Sequence, residues 1–396
     1  MNIGLLILGV SLLSGIYGVL HANVQRDIKK MLAFSSIENV GIIGIGIGTG
    51  IIGLELNMPV MTFLGFSGAL LHIFNHSLFK SIMFFSAGRV YQSTHTRDID
   101  QLGGLIKKMP WTAAFFLVGS LAICAFPPFN GFISEYLLYT GMLTSLASAP
   151  FYSTVVLILS IAGLALIGGL ALFGFTRVFG IMFLGEARSD KVAHAAEPDT
   201  TGRFPLMLIA VLILAIGLAP VFFAKPVFGV VSAAFPFTAP LAGADGFVLN
   251  LQNISIVAGV FVLLTLILLL FRKLHLKNKP VESGPTWGCG YTAATSKVQY
   301  TGQSFSENLA EIAQPVLQTS KTEPVIPPDV LFPEEASYES KPRDVMQEKW
   351  IDKPTATLAE WLKKMARMQT GRIEHYILYA FAFMILIFIL TYFNLL

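Results

Sequence analysis

Eight long apolar stretches alternate with polar segments along the chain. A helix needs about 20 apolar residues to cross a hydrocarbon core of roughly 30 Å, and each stretch approaches or exceeds that length. We therefore predict an all-α integral membrane protein with about eight membrane-spanning helices. The predicted spans cover residues 3–20, 35–54, 61–88, 111–147, 151–175, 204–224, 248–271 and 374–395.

The basic residues of the connecting loops follow the order of these spans. Loops one, three and five each contain several lysines or arginines, loops two and four contain none, and loop six contains only Lys225. Cytoplasmic loops of membrane proteins are enriched in Lys and Arg. The pattern predicts that the odd-numbered loops are cytoplasmic and that both chain termini lie outside.

The fourth apolar stretch is too long for one span and contains a predicted break. Pro127 and Pro128 interrupt it, with Gly131 close by. Proline lacks a backbone donor and clashes with the preceding turn, so a helix stops or kinks there. Inside a bilayer the freed carbonyl groups must be buried in protein or face a wet cavity, and broken helices recur at transporter ion sites. A simple kink on the lipid side is the alternative.

Residues 272–373 form the one substantial polar stretch. Its many prolines, hydroxyl residues and charges of both signs favour a mostly extended, partner-bound cytoplasmic connection over an independent core. Within it, residues 356–370 carry apolar positions at helical spacing beside basic ones. This pattern predicts a helix on the inner membrane surface or docked on a partner subunit. The predicted regions are 1–186, 187–271, 272–373 and 374–396.

The composition of the chain excludes several classes of protein. Hydrophobic residues make up 54% of the chain and charged residues only 13%, about half the share usual in soluble proteins. A cytosolic enzyme, a nucleic-acid-binding module and a secreted disulfide scaffold are therefore excluded. The two cysteines, Cys124 and Cys289, stand alone in the sequence, so we expect no cluster, zinc or haem cofactor in this chain.

The third span contains three ionisable residues on one side of the predicted helix. His72, His76 and Lys80 are spaced i, i+4 and i+8 and form a polar ladder of ~12 Å. A lysine at that depth costs about 2.5–3.5 kcal/mol on insertion scales, so the ladder must face protein or water. Because imidazole both accepts and donates protons, the ladder suggests a proton relay. The alternative is a structural lysine held by a fixed carboxylate, with hydrogen-bonded histidines.

Carboxylates elsewhere extend this hypothesis. Glu135 follows the proline break among apolar residues. It is the predicted far end of a proton path from Lys80. Glu38 joins the predicted relay, although its position near the inner start of the second span would also allow it to be solvated. Asp27 and Lys29 form a possible inner entrance for protons.

Three separated motifs stand out along the chain: residues 27–36 (DIKKMLAFSS), the His72/His76/Lys80 ladder, and residues 127–135 (PPFNGFISE). Together they resemble one superfamily, the antiporter-like membrane subunits of respiratory complex I, Mrp cation/proton antiporters and membrane-bound hydrogenases. Further motifs are most similar to the hydrogenase branch, which includes the large membrane subunit of formate hydrogenlyase and hydrogenase-4. These are residues 36–41, 75–76, 287–291 and 299–301.

The resemblance implies proton translocation with Lys80 as the central lysine. It assigns His72 and His76 to the linking relay and Glu135 to the terminal charged position on the broken helix. It also implies partners in a prokaryotic inner membrane: other membrane subunits of the same complex and a peripheral redox arm. Iron–sulfur and nickel–iron centres are expected in that arm, with no redox or catalytic centre in this chain.

One departure from the family pattern bears on function. Family members contain two inverted five-helix repeats, whereas residues 1–186 resemble only the second. We expect another polypeptide to supply the first repeat, whether this chain is a truncated reading frame or a natural split subunit. Two other functions stay open. One is an Mrp-type Na⁺/H⁺ antiporter module, in which Glu135 and carbonyls at the proline break bind Na⁺. The other is a membrane scaffold that no longer transports.

Overall fold

The computed structural model describes the chain outside residues 1, 198–199, 243–244, 278, 281–289, 291–294, 296–297, 323–338, 367–368 and 394–396. Cys289 and most of the motif at 287–291 lie outside the described residues. The protein is predominantly helical and consists of two compact units. The first unit is Met1–Thr319 and the second unit is Ser320–Leu396.

Helices occupy every predicted apolar stretch in the first unit. Short 3-10 turns connect them at Ile99–Gln101, Leu105–Lys107 and Pro236–Thr238. The helices are α1 Asn2–Val24, α2 Ile28–Glu55, α3 Pro59–Thr94, α4 Pro110–Ile123, α5 Asn130–Ser145, α6 Phe151–Phe183, α7 Asp190–Ala193, α8 Arg203–Leu218, α9 Pro220–Ala234, α10 Ala239–Ala242, α11 Asp245–Leu276, α12 Gly302–Ile312 and α13 Gln314–Leu317.

By length and composition, five helices in the described part of the chain can each cross a membrane. They are α1, α2, α6, α11 and a helix of the second unit, and the bent pair α8–α9 adds a sixth candidate. Helix α3 falls outside this set because its histidines and asparagine lower its hydropathy, whereas α4 and α5 are individually short. Several apolar helices thus agree with a membrane protein, and the total of eight spans stays a prediction.

Close packing of α1 on α2 depends on small residues. A Cβ atom at Gly18 would lie 2.5 Å from the backbone nitrogen of Glu38, and one at Gly41 would lie 2.6 Å from the backbone nitrogen of Gly15. Small residues let membrane helices approach until their backbones touch. This contact seals the α2 backbone around Glu38 from the α1 side.

Two helix breaks meet in the first unit. Helix α4 ends at Ile123 and α5 begins at Asn130, so the interruption surrounds the two prolines. The sequence pattern predicted a single span at 204–224, whereas the structure bends by 80° between α8 and α9, where Pro220 cannot donate a backbone hydrogen bond. A Cβ atom at Gly217, just before this bend, would collide with the carbonyl oxygen of Pro128.

A strap formed by residues 299–317 lies across one end of this unit. Gly302 N donates to Asp100 Oδ1 at 2.6 Å, and Arg188 Nη2 donates to Tyr300 O at 3.1 Å. Arg177, only 1% exposed, donates to Gly302 O and to Gln25 O. The predicted partner-bound connection at 272–373 therefore includes a segment that packs on its own chain.

Apolar contacts complete the attachment of the strap. Leu317 is fully buried in a cluster with Leu20 and Val24 of α1 and Ala310 and Ala313 of the strap. Helix α12 has its apolar residues on one face, as expected for a helix lying on a protein surface. The strap thus ties the end of α1 to the loops that follow α3 and α6.

The second unit contains a two-stranded antiparallel sheet and two further helices. Strand β1 (Ser320–Thr322) pairs with β2 (Glu339–Lys341), Ser320 opposite Lys341. A π-helical turn at Gln347–Asp352 leads into α14 (Lys353–Ala366), which overlaps the predicted surface helix at 356–370. Helix α15 (Ile373–Tyr392) is apolar and long enough to cross a membrane.

The tight contact of α1 with α2 yields a test of stability. We expect Gly18→Ala to lower the free energy of unfolding by about 1–3 kcal/mol, because the added methyl group forces the two backbones apart. Thermal unfolding in detergent, followed by tryptophan fluorescence, measures the change. Gly9→Ala on the same helix is the matched control, since a Cβ atom there meets nothing within 4 Å. Equal unfolding temperatures for the two variants would contradict this packing.

Candidate functional site

Helices α2, α3 and α5 bring the predicted relay residues into one buried region. Helix α3 packs between the other two helices, which lets its side chains contact both. The region contains the predicted residues and several polar neighbours that the sequence analysis did not single out. Its members are Glu38 and Asn39 from α2, His72, Asn75, His76 and Lys80 from α3, and Asn130, Ser134 and Glu135 from α5.

The amine of Lys80 is held by a neutral group. Lys80 is 6% exposed, and its Nζ donates a hydrogen bond of 2.9 Å to the carbonyl oxygen of Leu32 in α2. Within the described residues, no carboxylate oxygen lies close enough to Nζ to form an ion pair. A buried ammonium with only a carbonyl ligand is poorly compensated, so its charge is sensitive to nearby carboxylates.

Glu38 occupies the centre of the electrostatic network. It is only 1% exposed, and neither carboxylate oxygen has a hydrogen-bond partner in the described part of the chain. It interacts electrostatically with both Lys80 and Glu135. The solvated position that the sequence allowed is wrong, because α1 packs directly over this turn of α2 through Gly18.

His72 links α2 to α5 through two hydrogen bonds. Asn39 Nδ2 donates to Ser35 O at 2.8 Å, which directs Asn39 Oδ1 toward His72 Nε2 at 3.2 Å. Nε2 therefore carries a hydrogen, and Nδ1 lies 2.9 Å from the hydroxyl of Ser134. In neutral His72 the hydroxyl donates to Nδ1. When Nδ1 is protonated it donates instead, and the hydroxyl turns to Gly131 O at 3.0 Å.

Two asparagines fix the position of this hydroxyl. Asn75 Nδ2 donates to Ser134 Oγ at 3.0 Å and to Asn130 O at 2.8 Å. Asn130 Nδ2 donates back to Asn75 Oδ1 at 3.2 Å. These buried bonds attach α3 to the first turn of α5, immediately after the helix break. The sequence signal that would have found both asparagines is the same as for the histidines, a polar side chain within an apolar span.

His76 differs from His72 in its surroundings. It is half-buried, its Nε2 atom has no hydrogen-bond partner within the described residues, and its ring meets Phe79 edge to face at 5.5 Å. It interacts electrostatically with both Lys80 and His72, so it lies between them in the ladder. The predicted alignment of the three residues along one helix is present in the structure.

Glu135 lies in α5 and interacts electrostatically with Glu38. It is 6% exposed and receives no hydrogen bond from the described residues. The α5 helix can begin so close to the end of α4 because residue 131 is glycine: a Cβ atom there would collide with the carbonyl oxygen of Ala122. The predicted path from Lys80 to Glu135 stays a prediction.

The predicted inner entrance has clear structural contacts. Asp27 caps α2 by accepting hydrogen bonds from the backbone nitrogens of Lys29 and Lys30, and it forms an ion pair with Arg97 at 3.2 Å. The Lys29 amine lies over the ring of Tyr91, 5.1 Å from its centroid. These contacts account for both residues as parts of the helix start, and their part in proton entry stays a prediction.

Comparison with known proteins defines the class. Residues 1–162 match the family described as NADH:quinone oxidoreductase/Mrp antiporter, transmembrane region. This match confirms the predicted resemblance over that part of the chain. It is similar to the hydrogenase-4 component B of Escherichia coli K12, with 36% identity over 307 residues, 73% of this chain and 44% of that protein.

Two further comparisons support the assignment. Formate hydrogenlyase subunit 3 of Escherichia coli K12 is 35% identical over 321 residues, covering 81% of this chain and 51% of that protein. The chain spans about half the length of these two relatives. In the structure of the archaeal membrane-bound sulfane sulfur reductase, a respiratory membrane complex, one chain has the same fold, with a TM-score of 0.65 and 20% identity. The match covers 98% of this chain and 56% of that one.

The shared hydroxyl of Ser134 yields a second test. We expect Ser134→Ala to lower the free energy of unfolding by about 1–3 kcal/mol, because His72 Nδ1 and Asn75 Nδ2 lose a buried hydrogen-bond partner. Thermal unfolding in lipid nanodiscs measures this effect. Ser77→Ala is the control, since that hydroxyl is exposed and bonds only to Phe74 O of its own helix. A shift no larger than that of the control would contradict the network.

Proposed function

We propose that this chain is a proton-translocating antiporter-like membrane subunit of a hydrogenase, formate hydrogenlyase-type or complex I-like respiratory complex. The observation that carries the proposal is the buried pair of Lys80 and Glu38, which interact electrostatically without a direct ion pair. Opposite charges that interact without a fixed contact shift each other's proton affinity, so each group can gain or lose its proton as neighbouring charges change. A permanent ion pair would resist that exchange.

The proton path runs along three helices. Glu135 and Glu38 form one end, Lys80 stands in the middle, and His76 and His72 continue along α3. The hydroxyl of Ser134 can alternate between His72 Nδ1 and Gly131 O, so a proton arriving at His72 changes the direction of this hydrogen bond. The chain therefore moves protons by changing the proton affinity of these side chains and their access to the two sides of the membrane. No bond between heavy atoms is made or broken.

The energy for transport comes from outside this chain. Moving one charge against 100 mV requires about 2.3 kcal/mol. We propose that a peripheral redox arm with iron–sulfur and nickel–iron centres supplies it, and that other membrane subunits of the same complex transmit it. In this proposal, the arm and its cofactors belong to other chains of the complex.

Contacts among the loops support the proposed membrane orientation. Arg26 after α1 pairs with Asp100 after α3, and Lys107 after α3 pairs with Glu186 after α6. The three basic loops therefore lie at one end of the unit, joined there by the strap. Because basic loops favour the cytoplasm, we place this end and residues 272–373 inside a prokaryotic inner membrane, with both termini outside.

A Na⁺/H⁺ antiporter module of Mrp type is the second candidate. The observation that favours it is the carboxylate of Glu135, which receives no hydrogen bond among the described residues and follows the break in the helix. Carboxylate and carbonyl oxygens suit hard cations. This function differs from the first in requiring sodium for proton movement.

Substitution of the central lysine tests the proposal. We expect Lys80→Met in the assembled complex to reduce redox-driven proton uptake into vesicles at least about tenfold, because the relay loses its protonatable centre. Lys107→Met is the control, since its exposed amine pairs with Glu186 far from the relay.

The measurement is made with and without sodium. Loss of proton movement in sodium-free medium for the unmodified complex would favour the Mrp-type antiporter. Unchanged proton uptake in Lys80→Met would contradict transport through this chain and leave the scaffold function.

The surface around His76 supports a partner inside the membrane. Part of the His76 ring is exposed on α3, and polar side chains are unfavourable against lipid, so a protein segment is expected to cover this face. Ser77 and Ile73 are exposed on the same side. We propose that another membrane subunit of the same complex binds at this face of α3.

Photo-crosslinking tests this interface. A benzoylphenylalanine residue in place of Ser77 is expected to crosslink to a protein segment in native membranes, whereas the same residue in place of Leu264 on α11 should react with lipid. Mass spectrometry of the adducts identifies both products. Lipid adducts alone at position 77 would be incompatible with a protein partner on this face.

A further inference from the structure

An apolar cavity lies between the α4–α5 break and α11. Its volume is about 510 Å³. Phe126, Pro128 and Phe132 form one wall, and Val257, Ala258 and Phe261 of α11 form the opposite wall. None of these residues takes part in the proposed proton path, so the cavity needs an explanation of its own.

The chemistry of the walls excludes a polar ligand. Nearly all of the surface is contributed by carbon atoms, and the main polar group is the amide of Asn253 at the rim. Water is unfavourable in an apolar cavity because it finds too few hydrogen-bond partners. An empty space of this size would forfeit the packing contacts of its aromatic walls. A hydrocarbon ligand is the chemistry that fits.

The position of the cavity identifies the source of that ligand. Helix α11 is 32 residues long, and only 6% of its most apolar 18-residue stretch is buried. Val257 is 69% exposed and Phe261 is 54% exposed beside the cavity. The cavity is thus continuous with a surface built for lipid, where acyl chains are the abundant apolar molecules.

We propose that this cavity binds an acyl chain of a membrane phospholipid. The chain would pack on Phe126, Pro128 and Phe132, where the backbone lacks the regular hydrogen bonds of a helix. Phe132 and Glu135 are neighbours on successive turns of α5. The bound chain therefore supports the break from the lipid side while the polar network supports it from the protein side.

Photo-labelling with a phospholipid that carries a diazirine at mid-chain tests this proposal. The full chain with its associated subunits is placed in nanodiscs containing this lipid, irradiated and digested, and labelled peptides are quantified by mass spectrometry. We expect labels on the peptides that contain residues 126–132 and 253–261. Ala258→Trp, which fills the cavity, is expected to reduce labelling at 126–132 at least fivefold.

Val260→Trp is the matched control, because Val260 lies two residues further along α11 and is 60% exposed outside the cavity wall. It should leave labelling at 126–132 unchanged, and thermal unfolding verifies that both variants are folded. If Ala258→Trp is unstable, Ala258→Leu replaces it with a smaller expected decrease. Equal labelling of residues 126–132 in both variants, or no label on these residues in the unmodified chain, would overturn the proposal.

Lipid labelling tests this proposal independently of the proposed proton path. Labelling is expected to be unchanged in Lys80→Met, since the cavity and the lysine share no contact. Loss of proton transport with retained labelling, or the reverse, therefore reports on each site by itself.

Discussion

The constraint on which the rest of this structure depends is the burial of a lysine amine without an ion-pair partner. An ammonium group in an apolar interior is unstable unless dipoles or opposite charges compensate it. Here one backbone carbonyl, that of Leu32, is in contact, and the carboxylate of Glu38 acts from beyond ion-pair distance. The surrounding helices must hold both groups in place, since a small movement would either join them or separate them.

Glycine contacts and helix breaks provide that placement by different means. Gly18 brings α1 against the backbone of Glu38, which excludes solvent from this carboxylate. Gly131 lets α5 begin beside the end of α4, which brings Ser134 to His72. Near the second break, at Pro220, Gly217 packs directly against the carbonyl of Pro128. The two interrupted helices therefore contact each other at their breaks.

The strap adds a further level of organisation. Arg177 would be unfavourable near the end of a membrane helix if its guanidinium lacked acceptors, and the carbonyls of Ala22, Gln25 and Gly302 provide them. One buried cation thus joins α1, α6 and a segment more than a hundred residues later in the chain. The end of α1, which contacts the Glu38 turn, is held by this attachment.

Sequence alone determined the helical class, the position of the break at Pro127–Pro128 and the alignment of His72, His76 and Lys80. These features depend on local rules: the length of apolar runs, the missing donor of proline and the 3.6-residue period of a helix. The family resemblance could likewise be recognised from three short motifs.

Only the tertiary structure decided how these residues are connected. Whether Glu38 faces water or protein depends on α1, and whether Glu135 reaches Lys80 depends on what lies between α2 and α5. The roles of Asn39 and Ser134 and the 80° bend after α8 arise from contacts between helices distant in sequence. Burial and electrostatic partners are properties of packed surfaces, which a linear pattern of apolar and polar residues does not specify.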